Sequence, residues 1–151
     1  CVFVGSWSEL QKCQIIANGD LRFNFVGYVT NVYDYLSVAD VFVSASFTEG
    51  MPLAVLEALN MGVPSLLSEI PAHVEIANVM NMEEVKTFPL VSGELTKQFD
   101  NFISHTYDHS VIEDRAKEFF SASSMAERYS LLYLSIFNQY AKSSSGNTPC
   151  L

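Results

Sequence analysis

Apolar residues along this chain come in short unbroken runs: Cys1 to Val4, Leu21 to Val29, Val41 to Ser46, Pro64 to Ser68 and Val85 to Val91. A strand buried on both faces reads as such a run, whereas a strand with one wet face alternates. Between the runs, apolar positions recur at helical spacing over Ser8 to Ala17, Val32 to Ala39, Pro52 to Met61 and, less regularly, Ala72 to Ala77. Strands alternating with helices imply parallel βαβ units, so the expected class is α/β with a doubly wound parallel sheet. After Val91 the strand pattern stops. Thr96 to Tyr107, Val111 to Phe120 and Ser124 to Tyr140 read as closing helices. Tyr129, Tyr133, Phe137 and Tyr140 share one face of the last, expected to pack on the sheet or on a further domain. The small polar stretch Ser143 to Asn147 is expected to fray, giving a domain over 1–142 and a flexible tail over 143–151.

The most informative stretch leads from the third apolar run into the helix after it. A buried strand ends near Ser46, Gly50 turns the loop, and Pro52 falls where the first helical position is expected, its missing N–H costing nothing there. The amides of Gly50, Met51 and Leu53 are then expected to point outward at a helix N-terminus. Such amides, with the helix dipole, bind phosphate without a cationic side chain. The place is also where open α/β sheets bind ligands, beyond the carboxyl ends of the strands. Glu57 stands among Leu53, Ala54, Val55, Leu56, Ala58 and Leu59, and a carboxylate in apolar surroundings needs partners. A ribose diol would supply two hydroxyl donors; a position on the solvent face of the helix would supply water instead. Glu49 by itself reads as an acid stabilised by the helix dipole. The two acids together, with Gly50 and Pro52 fixed between them, point to a binding site.

Charge adds one constraint. The net charge is −9, with only eight Lys and Arg in 151 residues, which leaves no basic footprint for nucleic-acid phosphates or an anionic membrane surface. Any phosphate group must be held by backbone amides or by basic residues outside this sequence. Hydrophobic residues make up 49% of the chain, enough for one well-buried domain. Cys1, Cys13 and Cys150 are too far apart for a metal knuckle and odd in number for a disulfide framework, which suits a reducing cytoplasm. No run is long enough to span a bilayer and no signal peptide opens the chain, which starts without Met, as though cut from something longer.

The run Glu49-Gly50-Met51-Pro52-Leu53-Ala54-Val55-Leu56-Glu57-Ala58 resembles the signature of two glutamates separated by seven residues in the group 1 (family 4-like) glycosyltransferases. Its surroundings agree. Phe25-Val26-Gly27-Tyr28-Val29 followed by Tyr33 to Ala39 resembles the segment that precedes that signature, and Met61-Gly62-Val63-Pro64 resembles its step into the next strand. Ser68-Glu69-Ile70-Pro71-Ala72-His73-Val74-Glu75-Ile76 resembles a loop that follows. The likeness covers Val2 to Ala77 in unbroken order; the closing helices fit loosely.

The resemblance implies the C-terminal, Rossmann-like donor domain of a two-domain GT-B enzyme, with a missing N-terminal domain for the acceptor. It implies a UDP- or GDP-linked sugar as donor and retaining transfer, without a required metal or other cofactor, to a glycan or lipid-linked acceptor. Capsule, lipopolysaccharide or exopolysaccharide synthesis is the implied setting. The implied location of the full enzyme is the cytoplasm, either free or at the inner face of the membrane. By the same analogy Glu49 meets hydroxyls of the donor sugar and is the catalytic candidate. The amides of Gly50, Met51 and Leu53, with Pro52 between them, border the diphosphate, Glu57 holds the ribose, and Gly27, Tyr28 and Val29 line the base. Two departures stand out. The family's Arg and Lys pair would precede Cys1, and Gly5-Ser6-Trp7-Ser8 replaces a glycine-rich turn, with Gly5 a further site candidate and Trp7 free to stack or to pack. Aligned this way, Cys1 to Val4 is the second strand of the order 3-2-1-4-5-6 and Val41 to Ser46 the fourth, so the central strand lies outside this sequence.

Other candidates carry less. His73 is expected in a loop, near acceptor or phosphates or simply in solvent, and Glu75 in that loop or in the first turn of a helix. His105 and His109, four apart on an expected helix, would need a third ligand to hold a metal. Two other functions remain open on the same fold: a nucleotide-sugar epimerase or phosphorylase-like enzyme, and a nucleotide-sugar-binding module without turnover. The spacing of Glu49 and Glu57 favours the transferase.

Overall fold

The computed structural model describes residues 1–5 and 8–145, with side chains through Tyr140. Ser6 and Trp7, Cys150 and the tail from Gly146 onward lie outside the described residues, so the reading of Trp7 finds no structural counterpart here. The chain folds as two compact units, Cys1–Ala39 and a second that begins at Asp40, where its length and composition led us to expect one domain.

The first unit contains β1 (Val2–Val4), α1 (Leu10–Ala17), β2 (Asn24–Gly27) and α2 (Val32–Leu36). β1 and β2 pair in parallel, with Phe3 opposite Phe25 and their rings stacked at 4.7 Å. The apolar run over Leu21 to Val29 is thus strand only in its middle. Leu21 is exposed, and Arg22 folds back on Asp20 through hydrogen bonds that hold the Asp20 carboxyl below its ordinary pKa. β2 ends at Gly27, whose φ of 81° is a left-handed conformation that other residues resist.

The second unit contains β3 (Phe42–Ser44), α3 (Leu53–Asn60), β4 (Ser65–Ser68), α4 (Pro71–Met80), β5 (Val85–Phe88), α5 (Glu94–Ile103), α6 (His109–Phe120) and α7 (Ala122–Ser145). Its strands form a parallel sheet in the order β3-β4-β5. β4 is central and buried at every residue. Its successive side chains face opposite ways, so two cores form. Leu67 joins Val55, Leu59, Ile76, Met80, Ile112 and Ala116 on the face covered by α3, α4 and α6. Leu66 joins Phe88 and Phe102 on the face covered by α5. Helices on both faces of a parallel sheet are why its strands read as unbroken apolar runs. Within each sheet, strands adjacent in sequence pair in parallel, as βαβ units do.

Three helical expectations are corrected. α5 stops at Ile103, so His105 and His109 lie on no common helix: His105 follows the C-cap, Ser104, and its Nδ1 lies 2.8 Å from the Asn101 carbonyl, while His109 opens α6. Among the described residues no three His, Cys, Asp or Glu side chains are grouped to hold a metal. Ser143 to Ser145, expected to fray, continue α7. Of the two partners expected for the face of α7 bearing Tyr129, Tyr133, Phe137 and Tyr140, only the sheet is excluded, since all four are more than half exposed. No described helix is long and apolar enough to cross a membrane.

Candidate functional site

The carboxyl ends of β3 and β4 meet in a hydrogen-bonded cluster. Ser44 closes β3, and Ser46, two residues on, projects from the same side of an extended chain. The Ser44 hydroxyl donates to Ser46 Oγ at 3.3 Å, and Ser46 Oγ donates to Glu49 Oε1 at 2.6 Å. Ser68, the last residue of β4, is fully buried and donates from Oγ to the Ser46 carbonyl at 2.6 Å. The sequence reading picked out Glu49 but missed these serines. The signal was present as hydroxyls inside apolar strand runs, which have to find partners once buried.

His73 completes the cluster and corrects the sequence expectation. It lies in the first turn of α4 rather than a loop, and it is 0% exposed. Pro71 starts α4, where its missing N–H costs nothing, and that early start carries His73 into the interior. Its Nδ1 lies 3.0 Å from the Ser68 carbonyl and 3.1 Å from Ser68 Oγ, while Nε2 is buried without a hydrogen-bond partner among the described residues. Glu75, in turn, is neither in a loop nor in the first turn: it is exposed further along α4.

The backbone before α3 also differs from expectation. Pro52 caps the helix instead of opening it, with φ −80° and ψ 76°. These angles are those of an inverse γ-turn, and the Leu53 N–H donates to the Met51 carbonyl at 2.9 Å. Of the three amides expected to face outward, Leu53 is therefore committed. Gly50 and Met51 are exposed and their amides have no hydrogen-bond partner among the described residues. Between Asp40 and Val85 the sequence contains no Lys or Arg, so the strand-to-helix segment itself offers an anion only amides and the α3 dipole, while Arg128 of α7 lines a cavity that Met51 also borders.

Glu57 is half-buried on α3, between Leu56 and the buried pair Ala58 and Leu59, and its carboxylate has no hydrogen bond or ion pair among the described residues. Leu53 is 63% exposed, so α3 buries one face and is not packed all round as its composition suggested. In the first unit, the Gly5 N–H donates to the Gly27 carbonyl at 2.7 Å, which brings two of the residues singled out from the sequence together. Tyr28 is exposed and Val29 half-buried.

Comparisons with known proteins bear on the family and the fold. A sequence profile described as glycosyl transferases group 1 matches residues 1–105. The O-antigen biosynthesis glycosyltransferase WclY of Escherichia coli is 28% identical over 121 residues, covering 78% of this chain and 33% of that protein. A second Escherichia coli relative, UDP-Gal:alpha-D-GlcNAc-diphosphoundecaprenol alpha-1,3-galactosyltransferase, is 43% identical over 49 residues, which is 32% of this chain and 13% of the relative. The chain thus spans about a third, or less, of the curated relatives that it matches. Among solved structures, HepE of Anabaena in complex with UDP superposes with a TM-score of 0.68 at 16% identity, covering 89% of this chain and 40% of that one. That likeness places the fold with the Rossmann-like domains of GT-B enzymes. With the profile covering more than half of the sequence, the chain belongs to the group 1 glycosyltransferases.

Proposed function

We propose that this chain supplies the donor site of a hexosyltransferase that moves a sugar from a nucleoside diphosphate to a growing surface polysaccharide or its lipid-linked precursor. One observation carries the reading. Glu49 and Glu57 flank the start of α3 at the family's spacing, and Glu57 is half-buried with no hydrogen-bond or ion-pair partner among the described residues. A ribose diol is the kind of ligand that satisfies such a group in a bidentate way. In this reading Gly50 and Met51 give their amides to the diphosphate. Glu49, held by Ser46, receives hydroxyls of the donor sugar. The names of the Escherichia coli relatives support an O-antigen setting, and the UDP bound to HepE supports a nucleotide ligand. Retention at the anomeric carbon, no required metal, and an acceptor domain elsewhere in the protein follow from family membership and belong to the proposal.

The test is calorimetry with UDP and GDP, joined to turnover of a panel of nucleotide sugars by the complete enzyme. Glu57→Gln weakens nucleoside diphosphate binding by about 1–3 kcal/mol, the scale of a lost charged hydrogen bond. Glu49→Ala lowers kcat/KM and leaves nucleoside diphosphate affinity nearly intact, because its partner is the sugar. Unchanged affinity in Glu57→Gln, or equal loss of affinity and turnover in Glu49→Ala, refutes the assignment.

A further inference from the structure

We propose that His73 is a positioning residue for Glu49, acting through Ser68 and Ser46; the role in turnover rests on the donor-site reading above. A carbonyl only accepts hydrogen bonds, so the 3.0 Å contact with the Ser68 carbonyl puts the hydrogen on Nδ1. The Ser68 hydroxyl hydrogen is committed to the Ser46 carbonyl at 2.6 Å, so Ser68 Oγ faces Nδ1 as an acceptor. The donors therefore run one way: imidazole to Ser68, Ser68 to the Ser46 backbone, and the Ser46 hydroxyl to Glu49.

The chain joins three elements, α4, the end of β4 and the loop after β3, and it ends on a carboxylate that little else restrains. Phe47, Thr48, Gly50 and Met51, on either side of Glu49, are all exposed, and Ser46 Oγ is the carboxylate's one hydrogen-bond partner among the described residues. The orphaned Nε2 supports the same conclusion. A buried ring nitrogen without a partner is a cost that an apolar side chain of similar size would avoid. What imidazole offers here, and leucine does not, is the Nδ1–H.

The experiment uses the complete enzyme, UDP as the binding probe, and as donor whichever of UDP-galactose, UDP-glucose, UDP-N-acetylglucosamine and GDP-mannose the wild type turns over fastest. His73→Leu lowers kcat by about ten- to a hundredfold, the range for losing a group that orients a catalytic one. UDP affinity stays within about twofold, since the nucleotide contacts are not on this chain of bonds. His73→Asn, whose side-chain amide can donate from near the Nδ1 position, recovers most of the loss, and His73→Gln, which places its donor toward Nε2, does not. In a Ser46→Ala background His73→Leu has no further effect on kcat, because the path is already cut. If His73→Leu fails to fold, the Asn and Gln pair and its dependence on Ser46 decide the matter. Independent losses from His73 and Ser46, or equal activity of the Asn and Gln variants, overturn the proposal. Two-bond 1H–15N spectra of the wild-type ring stand apart from turnover: they show Nδ1 protonated and Nε2 bare, and the opposite tautomer overturns the chain of bonds. A wild type that turns over none of the donors refutes the donor-site reading, and with it the role of His73 in turnover, while the spectra still judge the hydrogen bonds.

Discussion

Gly62→Ala is expected to be one of the most destabilising single-methyl changes in this protein. α3 ends in a Schellman arrangement, with the Val63 N–H bonded to the Ala58 carbonyl at 2.9 Å and the Gly62 N–H to the Leu59 carbonyl at 3.0 Å. The motif requires a left-handed residue, and Gly62 supplies it at φ 72°. An L-residue in that conformation costs about 1–2 kcal/mol. The larger effect is steric. A Cβ on Gly62 would stand 2.4 Å from the His109 carbonyl oxygen and 3.0 Å from its carbon, so the start of α6 would have to retreat. Forcing a methyl group into packed surroundings costs about 1–3 kcal/mol. The sum, about 2–5 kcal/mol, is a large part of the ~5–15 kcal/mol that keeps a domain folded. Urea unfolding followed by far-ultraviolet circular dichroism checks it: with a slope of about 1–3 kcal/mol per molar, the midpoint falls by at least about 0.7 M. Gly50→Ala is the control. Gly50 is not in the left-handed region and nothing lies within 4 Å of its would-be Cβ, so its stability changes little. A loss below about 0.5 kcal/mol for Gly62→Ala, or equal losses at the two glycines, refutes the reasoning.

Arg115 ties α6 to the end of α4, its Nε donating to the Met80 carbonyl at 3.1 Å and its Nη2 to the Val79 carbonyl at 3.3 Å, with its guanidinium 4.5 Å from the centre of the Phe119 ring. Arg115→Met keeps the stem but strands two carbonyls, and thermal unfolding should show a loss of about 1–3 kcal/mol, only partly recovered by Lys, which lacks the planar fork. Asp108 caps α6; hydrogen bonds from the Ser110 hydroxyl, then from the Ser110 amide, hold its carboxyl below the ordinary value near 3.8. A depressed folded-state pKa means that this stabilisation is complete above the unfolded value and is lost as pH falls through the folded one. Asp108→Asn, which can still accept the cap bond, therefore removes that part of the acid dependence of stability. An unchanged slope below pH 4 in acid titrations followed by circular dichroism would remove the cap from the acid response.

The class of the fold was legible, and a candidate site could be proposed, because both depend on local pattern. A strand covered on both faces must be apolar throughout, so β4 announced itself in Ser65 to Ser68 with its Leu-Leu centre. The two glutamates were legible because a fixed spacing across one strand-to-helix turn survives as a spacing in sequence. Element ends were less visible. Pro52 is compatible with both a first helical position and a cap, and only the turn that commits the Leu53 amide to Met51 distinguishes them. The burial and hydrogen bonds of His73 were out of reach for a different reason. Ser46 and Ser68 are 22 residues apart, and their hydrogen bond exists only because parallel pairing sets β3 beside β4 and aligns their carboxyl ends. A histidine five residues after Ser68 reads as a loop residue until the packing of α4 over that sheet removes every route to water. The sequence by itself determined which residues had to be strand, helix and acid pair, since those follow from periodicity and the chemistry of neighbours. The tertiary structure alone decided which polar groups are shut away from solvent and must satisfy one another, because burial is a property of what lies across the sheet and not of what lies next along the chain.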